Sequence, residues 1–398
     1  MQSPNNDKNI YLFLLWWRGC VLVVEYTVFY AVPVIAYVKT LNLSTSALTA
    51  VVEFLPRIIV LPLILTFIDR VPLLRQIAVS DAMRAILVGG LLLFHSLSAL
   101  LVLLGLVGIL SMWSVIKFEK LVAAIDDPAL ETEVISRSQG VDQLARVAGG
   151  VIATLAVQHL PLVAGSCVVL LATGYIALLH FRSRSAGILE SGSWSGRRAL
   201  TTQDSAPIVG LIRPLALLIG LLLSINLYDG ILRTLLPNLV ISRYGADAEL
   251  VPVIMTISYL FGILMALIFE RYVLKKSGIT ILFSSLGVLT ASLVTMSLAP
   301  GATTFFFGAV VFFGGRVWFN IAARIARNRL IDRENFGRSL SLYLPAIFFP
   351  FVVAGVLVGA LGRYFTANEM LFGLAAAALG SLVLLAKSGR TLVQRLKL

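Results

Sequence analysis

The sequence predicts an all-α integral membrane protein of about twelve transmembrane helices in two pseudo-symmetric six-helix bundles. Three observations predict this: an apolar composition that no water-soluble core absorbs, a regular recurrence of long apolar runs, and an internal repeat. Of 398 residues, 59% are hydrophobic and only 13% are charged, and the mean hydropathy is +0.94. A soluble domain is about half apolar and a quarter charged, so the solvent of this chain is lipid.

A spanning helix needs about 20 mostly apolar residues. Such runs occupy 11–38, 46–68, 77–95, 96–117, 138–158, 161–181, 208–241, 248–269, 278–298, 302–323, 339–361 and 367–387. The first is too long for a signal-peptide core and contains Glu25, so it reads as a span and no cleavable leader is expected. Run 208–241 is too long for one straight crossing, and part of it is expected to extend along the interface. The loop 182–207, rich in Ser, Gly and Arg, separates an N-terminal bundle, 1–181, from a C-terminal bundle, 208–398.

Charge orients the spans. One set of connections is short and nearly uncharged, as at His95-Ser96, 158–161 and Ala299-Pro300-Gly301, with only Lys39, Arg243 and Arg363 beside them. The other set carries the basic tracts, including Arg70 and Arg75, Lys117 and Lys120, Arg197 and Arg198, Lys275 and Lys276, Arg324 to Arg338, and the C-terminal Lys387 to Lys397. Basic loops stay in the cytoplasm. Both termini are therefore expected inside, in the inner (cytoplasmic) membrane.

The halves echo one another. Glu25 precedes Pro33 by eight residues, as Asp229 precedes Pro237, at an offset of 204. Asp69-Arg70 corresponds to Glu270-Arg271 at 201, Trp113 to Trp318 at 205, and Asp126 to Asp332 at 206. With six spans per half, both copies enter the membrane in the same direction, a parallel repeat.

The net charge of +12 is spread over short tracts between apolar runs, which speaks against nucleic-acid binding. Cys20 and Cys167 each sit in an apolar run and have no zinc or redox spacing; His95, His159 and His180 stand singly. No metal site and no cofactor is expected. No Gly-x-x-x-x-Gly-Lys-Ser/Thr loop is present to bind ATP, and no enzymatic activity is expected.

Ionisable groups inside spans mark function. Glu25 lies near the middle of the first span and Asp229 is its repeat mate in the seventh. Loss of hydration penalises a carboxylate's charged form, which suits it to carry a proton. Pro33 and Pro237 are expected to interrupt their helices at matching places, and Asn226, Tyr228 and Gly230 predict local unwinding around Asp229. Arg316, beside Trp318 and ahead of Asn320 in the tenth span, needs a carboxylate partner: Glu25, Asp229 or a substrate. Glu53 and Arg57, four apart on one helix face, read as an ion pair.

The 2–3 loop, Asp69-Arg70-Val71-Pro72-Leu73-Leu74-Arg75, resembles the loop motif of the major facilitator superfamily, with Leu65 and Pro72 where its glycines usually fall. Ala148-Gly149-Gly150 is similar to the antiporter pattern of span five, with Arg146 in place of its proline. The resemblance, carried over the whole length by topology, implies that spans one, four, seven and ten line a central cavity. It also implies that Asp69, Arg70 and Arg75 form a cytoplasmic charge lock, which Asp81 and Arg84 would complete. Trp113, Trp318, Tyr26, Tyr30 and Tyr259 would supply aromatic surface.

The expected function is secondary, proton-coupled transport of a small organic solute by a monomer in the lipid bilayer, leaning to export of a metallophore-like (siderophore-like) or drug-like compound. Acidic Glu25 and Asp229 beside basic Arg316 suit a zwitterionic or amphipathic solute. The alternatives are an importer, a ferroportin-like divalent-metal carrier, and a lipid-modifying membrane enzyme built on Asp126, Asp127, Glu131 and Glu133.

Overall fold

The structure, a computed structural model, describes residues 4–67, 73–90, 96–123, 140–156, 167–172, 208–268, 278–330 and 336–396, with isolated positions at 134, 137, 138, 159 and 165. Among the described residues there are helices and turns and no strand. The helices are α1 (Pro4–Thr40), α2 (Leu43–Phe67), α3 (Leu73–Gly90), α4 (Leu97–Ala123), α5 (140–156), α6 (Ile208–Asn238), α7 (Leu250–Ile268), α8 (Gly278–Ser297), α9 (Ala302–Leu330), α10 (Phe336–Leu361) and α11 (Ala367–Leu396). Seven helices of the described residues are long and apolar enough to cross a membrane, and two more are apolar but shorter. The linker 182–207 and the acidic loop holding Asp126, Asp127, Glu131 and Glu133 lie outside the described residues, as do Asp69 and Arg70.

Polarity sets which face of each helix turns inward. On α3, Val79, Met83 and Ile86 are exposed at helical spacing, whereas Ser80, Asp81, Arg84 and Val88 are buried. A soluble helix would show the reverse. Exposed apolar residues recur on Ile59, Leu63, Val102, Leu144, Leu267, Phe307 and Phe372, the surface expected of a protein bathed in hydrocarbon.

Sequence also fixes the helix ends. After α1 the chain turns through Leu41, held at φ 48°, into Asn42. The Asn42 side-chain oxygen then accepts from the Ser44 N–H at 2.8 Å, capping α2. α11 starts from a reciprocal capping box: Glu369 Oε2 accepts from the Thr366 N–H at 2.7 Å, and the Glu369 N–H reaches back to Thr366 Oγ1 at 3.3 Å.

Two interruptions expected from sequence take another form. α1 continues as one 37-residue helix through Pro33, and α6 is helical from Ile208 to Asn238 with no unwinding at Asp229. The over-long seventh run ends instead in a π-helical turn, Leu239–Arg243, directly after Pro237. Missing N–H groups at proline weaken a helix locally but do not stop it where packing holds the flanking turns.

The chain separates into two compact units. One comprises Met1–Val32, Val52–Ser205 and Phe336–Ser341; the other comprises Pro33–Val51, Ala206–Asn335 and Leu342–Leu398. Within the first, α3 packs on α4, and α1 meets α5 so closely that a Cβ at Gly149 would lie 2.7 Å from Tyr26 Cβ. Within the second, α9 packs against α8, α7 and α6, and α11 against α8 and α6. The 33–51 hairpin belongs there too: Tyr37 Oη and Ser242 Oγ are 2.6 Å apart, and Asn238 Nδ2 donates to Tyr37 Oη at 2.8 Å.

Gly108 marks a close approach of α4 to α2. A Cβ there would lie 2.5 Å from the Glu53 carbonyl oxygen and 3.3 Å from Arg57 Nε, whereas one at Gly220 would meet nothing within 4 Å. Gly108→Ala should therefore cost about 1–3 kcal/mol of stability through overpacking, and Gly220→Ala should cost nothing. Melting of the purified proteins in detergent checks the pair; equal effects would remove the close contact.

Candidate functional site

Among the described residues, each unit holds a buried cluster of charges that joins several helices. In the first, α1 contributes Glu25, α3 contributes Asp81 and Arg84, and α4 contributes Ser111 and Ser114. Asp81 and Arg84 are three residues apart on the inner face of α3, and Leu110, Ser111 and Ser114 share one face of α4. Arg84 is 0% exposed, Asp81 1% and Glu25 2%. Arg84 Nη2 pairs with Glu25 Oε1 at 2.7 Å and Nη1 with Asp81 Oδ1 at 2.8 Å. Nη2 also donates to the Leu110 carbonyl and to Ser114 Oγ, both at 2.6 Å. Ser111 Oγ donates to Glu25 Oε2 at 2.8 Å. One guanidinium is thus gripped by two carboxylates from two helices.

This moves Arg84 and Asp81. Sequence reading placed them at the start of the third span beside the cytoplasmic loop; the structure places them inside α3 against the mid-span Glu25. α3 begins at Leu73, four residues earlier than the apolar run, so the pair falls deeper in the helix. Arg75 lies on α3, but its side chain is outside the described ones.

A second ion pair stands nearby on α2. Arg57 Nη2 bonds Glu53 Oε1 at 2.9 Å, and the guanidinium lies 4.6 Å from the ring centres of both Phe29 and Phe54. A third joins α5 to α1: Arg146 Nε bonds Asp142 Oδ2 at 2.9 Å, and Tyr26 Oη donates to Asp142 Oδ1 at 2.8 Å. Asp142 escaped the sequence reading, although its four-residue spacing to Arg146 repeats that of Glu53 and Arg57.

In the second unit, Asp229 is 0% exposed. Its Oδ2 receives two guanidinium groups: Arg233 Nε at 2.9 Å, one turn along α6, and Nη1 of Arg316 from α9. Arg316 Nη2 also donates to Asn226 Oδ1. Arg233 Nη2 donates to Tyr259 Oη of α7 at 2.8 Å. The Arg316 guanidinium lies over Phe351 at 5.8 Å and that of Arg233 over Phe313 at 5.3 Å. Asn226, Asp229 and Arg316 therefore converge, and Arg233 joins them unforeseen.

Other candidates are placed elsewhere. Tyr228 Oη pairs with Ser381 Oγ of α11 at 2.7 Å, and Trp318 Nε1 donates to the Met265 carbonyl of α7 at 2.6 Å. Both tie helices together by their polar ends. Asn320 is exposed, Pro33 half-buried and Pro237 buried.

The repeat explains the contrast between the clusters. At the offset of 205 that relates Trp113 to Trp318, the mate of Arg316 is Ser111. Both donate to the repeat-related acid, a hydroxyl to Glu25 in one half and a guanidinium to Asp229 in the other.

Removing one partner from a buried ion pair leaves an uncompensated charge and costs about 3–5 kcal/mol. Arg84→Met is expected to show that loss, and adding Glu25→Gln should recover part of it. A double-mutant cycle of unfolding free energies checks this; additive effects would mean that the two do not interact.

No protein-family model matches the chain, and no curated protein matches it in sequence. Solved structures do match in fold. A bacterial homologue of the iron transporter ferroportin, in its inward-facing state, is 18% identical over 97% of this chain and 99% of its own, with a TM-score of 0.71. Its outward-facing state with soaked iron is 18% identical over 95% of this chain and 98% of its own, at 0.65. The peptide transporter POT in complex with alafosfalin is 12% identical over 95% of this chain and 94% of its own, at 0.69. The chain is an all-α membrane protein with the major facilitator fold.

Proposed function

We propose that this protein is a proton-coupled secondary carrier of a small organic solute, working by alternating access, and not a membrane enzyme. The observation that carries the reading is Arg84 held between Glu25 and Asp81. A proton on Glu25 cancels its pull on Arg84, yet the guanidinium keeps Asp81, the Leu110 carbonyl and Ser114. Protonation thus unties α1 from α3 without stranding a positive charge in a dry interior. Loss of the proton restores the tie. An element that two states of one group can bind or release is what coupling to a gradient requires.

The fold supports the same reading, since a bacterial ferroportin homologue of similar fold has been solved in inward-facing and outward-facing states. Export of a metallophore-like or drug-like solute is the favoured direction, resting on the compact loops and the mixed charge of the interior. A divalent-metal carrier ranks below it because, among the described residues, no three of His, Cys, Asp and Glu converge. The membrane is the inner one, with both termini in the cytoplasm and the protein acting as a monomer.

Comparing small molecules in cells and medium tests the function with the gene intact, deleted, or carrying Glu25→Gln. Deletion should trap a compound inside, and Glu25→Gln should reproduce that pattern while the protein still accumulates in the membrane. Identical distributions in all three strains would sink the carrier reading, and full activity of Glu25→Gln would remove the coupling role. For orientation, single cysteines at Ala246 and Ala367 should react with an impermeant reagent added to intact cells, and one at Ser193 should not. Labelling at Ser193 would reverse the topology.

A further inference from the structure

Deepening the carrier reading, and resting on it, we propose that Arg316 and Arg233 of the second unit bind a carboxylate group of the solute, which takes Arg316 over from Asp229. The second cluster is the first with its signs reversed. There, one guanidinium serves two carboxylates; here, Asp229 Oδ2 holds two guanidinium groups from two helices. A carboxylate needs only one such partner to stay compensated in a buried place. Asp229 can therefore keep Arg233, one turn away on its own helix, while Arg316 passes to an incoming anion. Asp229 keeps a guanidinium partner throughout and Arg316 passes from one carboxylate to another, so the exchange avoids the penalty that otherwise locks buried ion pairs.

Three further observations point to an anion at this place. The acid is sealed, whereas the side chains of Arg316 and Arg233 are 12% and 25% exposed. At membrane depth, a partly exposed guanidinium faces water rather than lipid, because hydrocarbon contact is costly. Asn226 is 1% exposed, and its Nδ2 makes no hydrogen bond among the described residues. Its Oδ1 is held by Arg316, which fixes the amide so that Nδ2 is the end left to donate to a ligand oxygen. Phe351 and Phe313, both buried, lie under the two guanidinium groups and support them in place. A guanidinium fork matches a carboxylate in two parallel hydrogen bonds. The guanidinium fork and the free end of the Asn226 amide together select a carboxylate.

The test uses the full chain in detergent, without any gradient, with benzoate as probe and benzamide as its uncharged match. Benzoate at millimolar concentration should raise the melting temperature and benzamide should not. Asp229→Asn removes the competing carboxylate and should tighten benzoate binding about tenfold. A merely structural Asp229 would give weaker binding or none. Arg316→Gln should abolish binding. Should that variant fail to fold, Arg316→Lys keeps the charge without the fork and should weaken binding about tenfold. Equal effects of benzoate and benzamide, no binding of benzoate, unchanged or weaker binding in Asp229→Asn, or unchanged binding in Arg316→Lys would each overturn the proposal. Loss of benzoate binding in these assays would leave the transport result for Glu25→Gln untouched, so failure of this site and failure of the proton reading are distinguishable.

Discussion

A charge in hydrocarbon must be met by an opposite charge, and that constraint organises the interior of this protein. Arg84 lies at the middle of it. Its two nitrogens and four partners join α1, α3 and α4, so the packing of the first unit's centre follows from satisfying one guanidinium. Asp229 plays the matching part in the second unit, drawing α6, α9 and, through Arg233 and Tyr259, α7 together. Non-polar contacts alone bind membrane helices weakly, since lipid tails offer much the same company. Polar clusters of this kind therefore decide which helices are neighbours.

Both clusters contain a surplus partner, and that surplus separates them from inert ion pairs. Glu53–Arg57 and Asp142–Arg146 each join residues of a single helix at four-residue spacing. Arg84 and Asp229 have alternatives, so their bonds can be exchanged. At corresponding positions of the two halves an acid faces different donors, Ser111 against Glu25 and Arg316 against Asp229.

Much of this was legible in the sequence, because membrane spans are long, apolar and bounded by charge. Glu25 and Asp229 stood out as acids in apolar runs, and Asp229 was among the partners named for Arg316. Hydropathy finds where an apolar run begins, and α3 starts before its run does, so Arg84 lies further inside the helix than the run implies. Arg233 was overlooked because it lies toward the end of a run already judged too long, where a basic residue reads as an interface anchor. Pro33 misled for a different reason: proline removes one hydrogen bond, but tertiary packing decides whether the helix breaks. Local polarity at Asn226 and Tyr228 suggested unwinding, when each instead bonds a neighbouring helix.

The make-up of α3 bears on how the protein is assembled. Its 18 residues include Arg75, Asp81 and Arg84, and each charge near a helix centre opposes partition into the bilayer by about 2.5–3.5 kcal/mol. Alone, this segment would be a poor candidate for release from the translocation machinery into lipid. α1, made earlier, carries the acid that Arg84 requires, and α4, made next, carries the hydroxyl and carbonyl groups. Entry of the third helix is thus tied to retention of the first beside it and to arrival of the fourth. The charge that makes α3 a poor insertion candidate is met by groups that α1 and α4 supply.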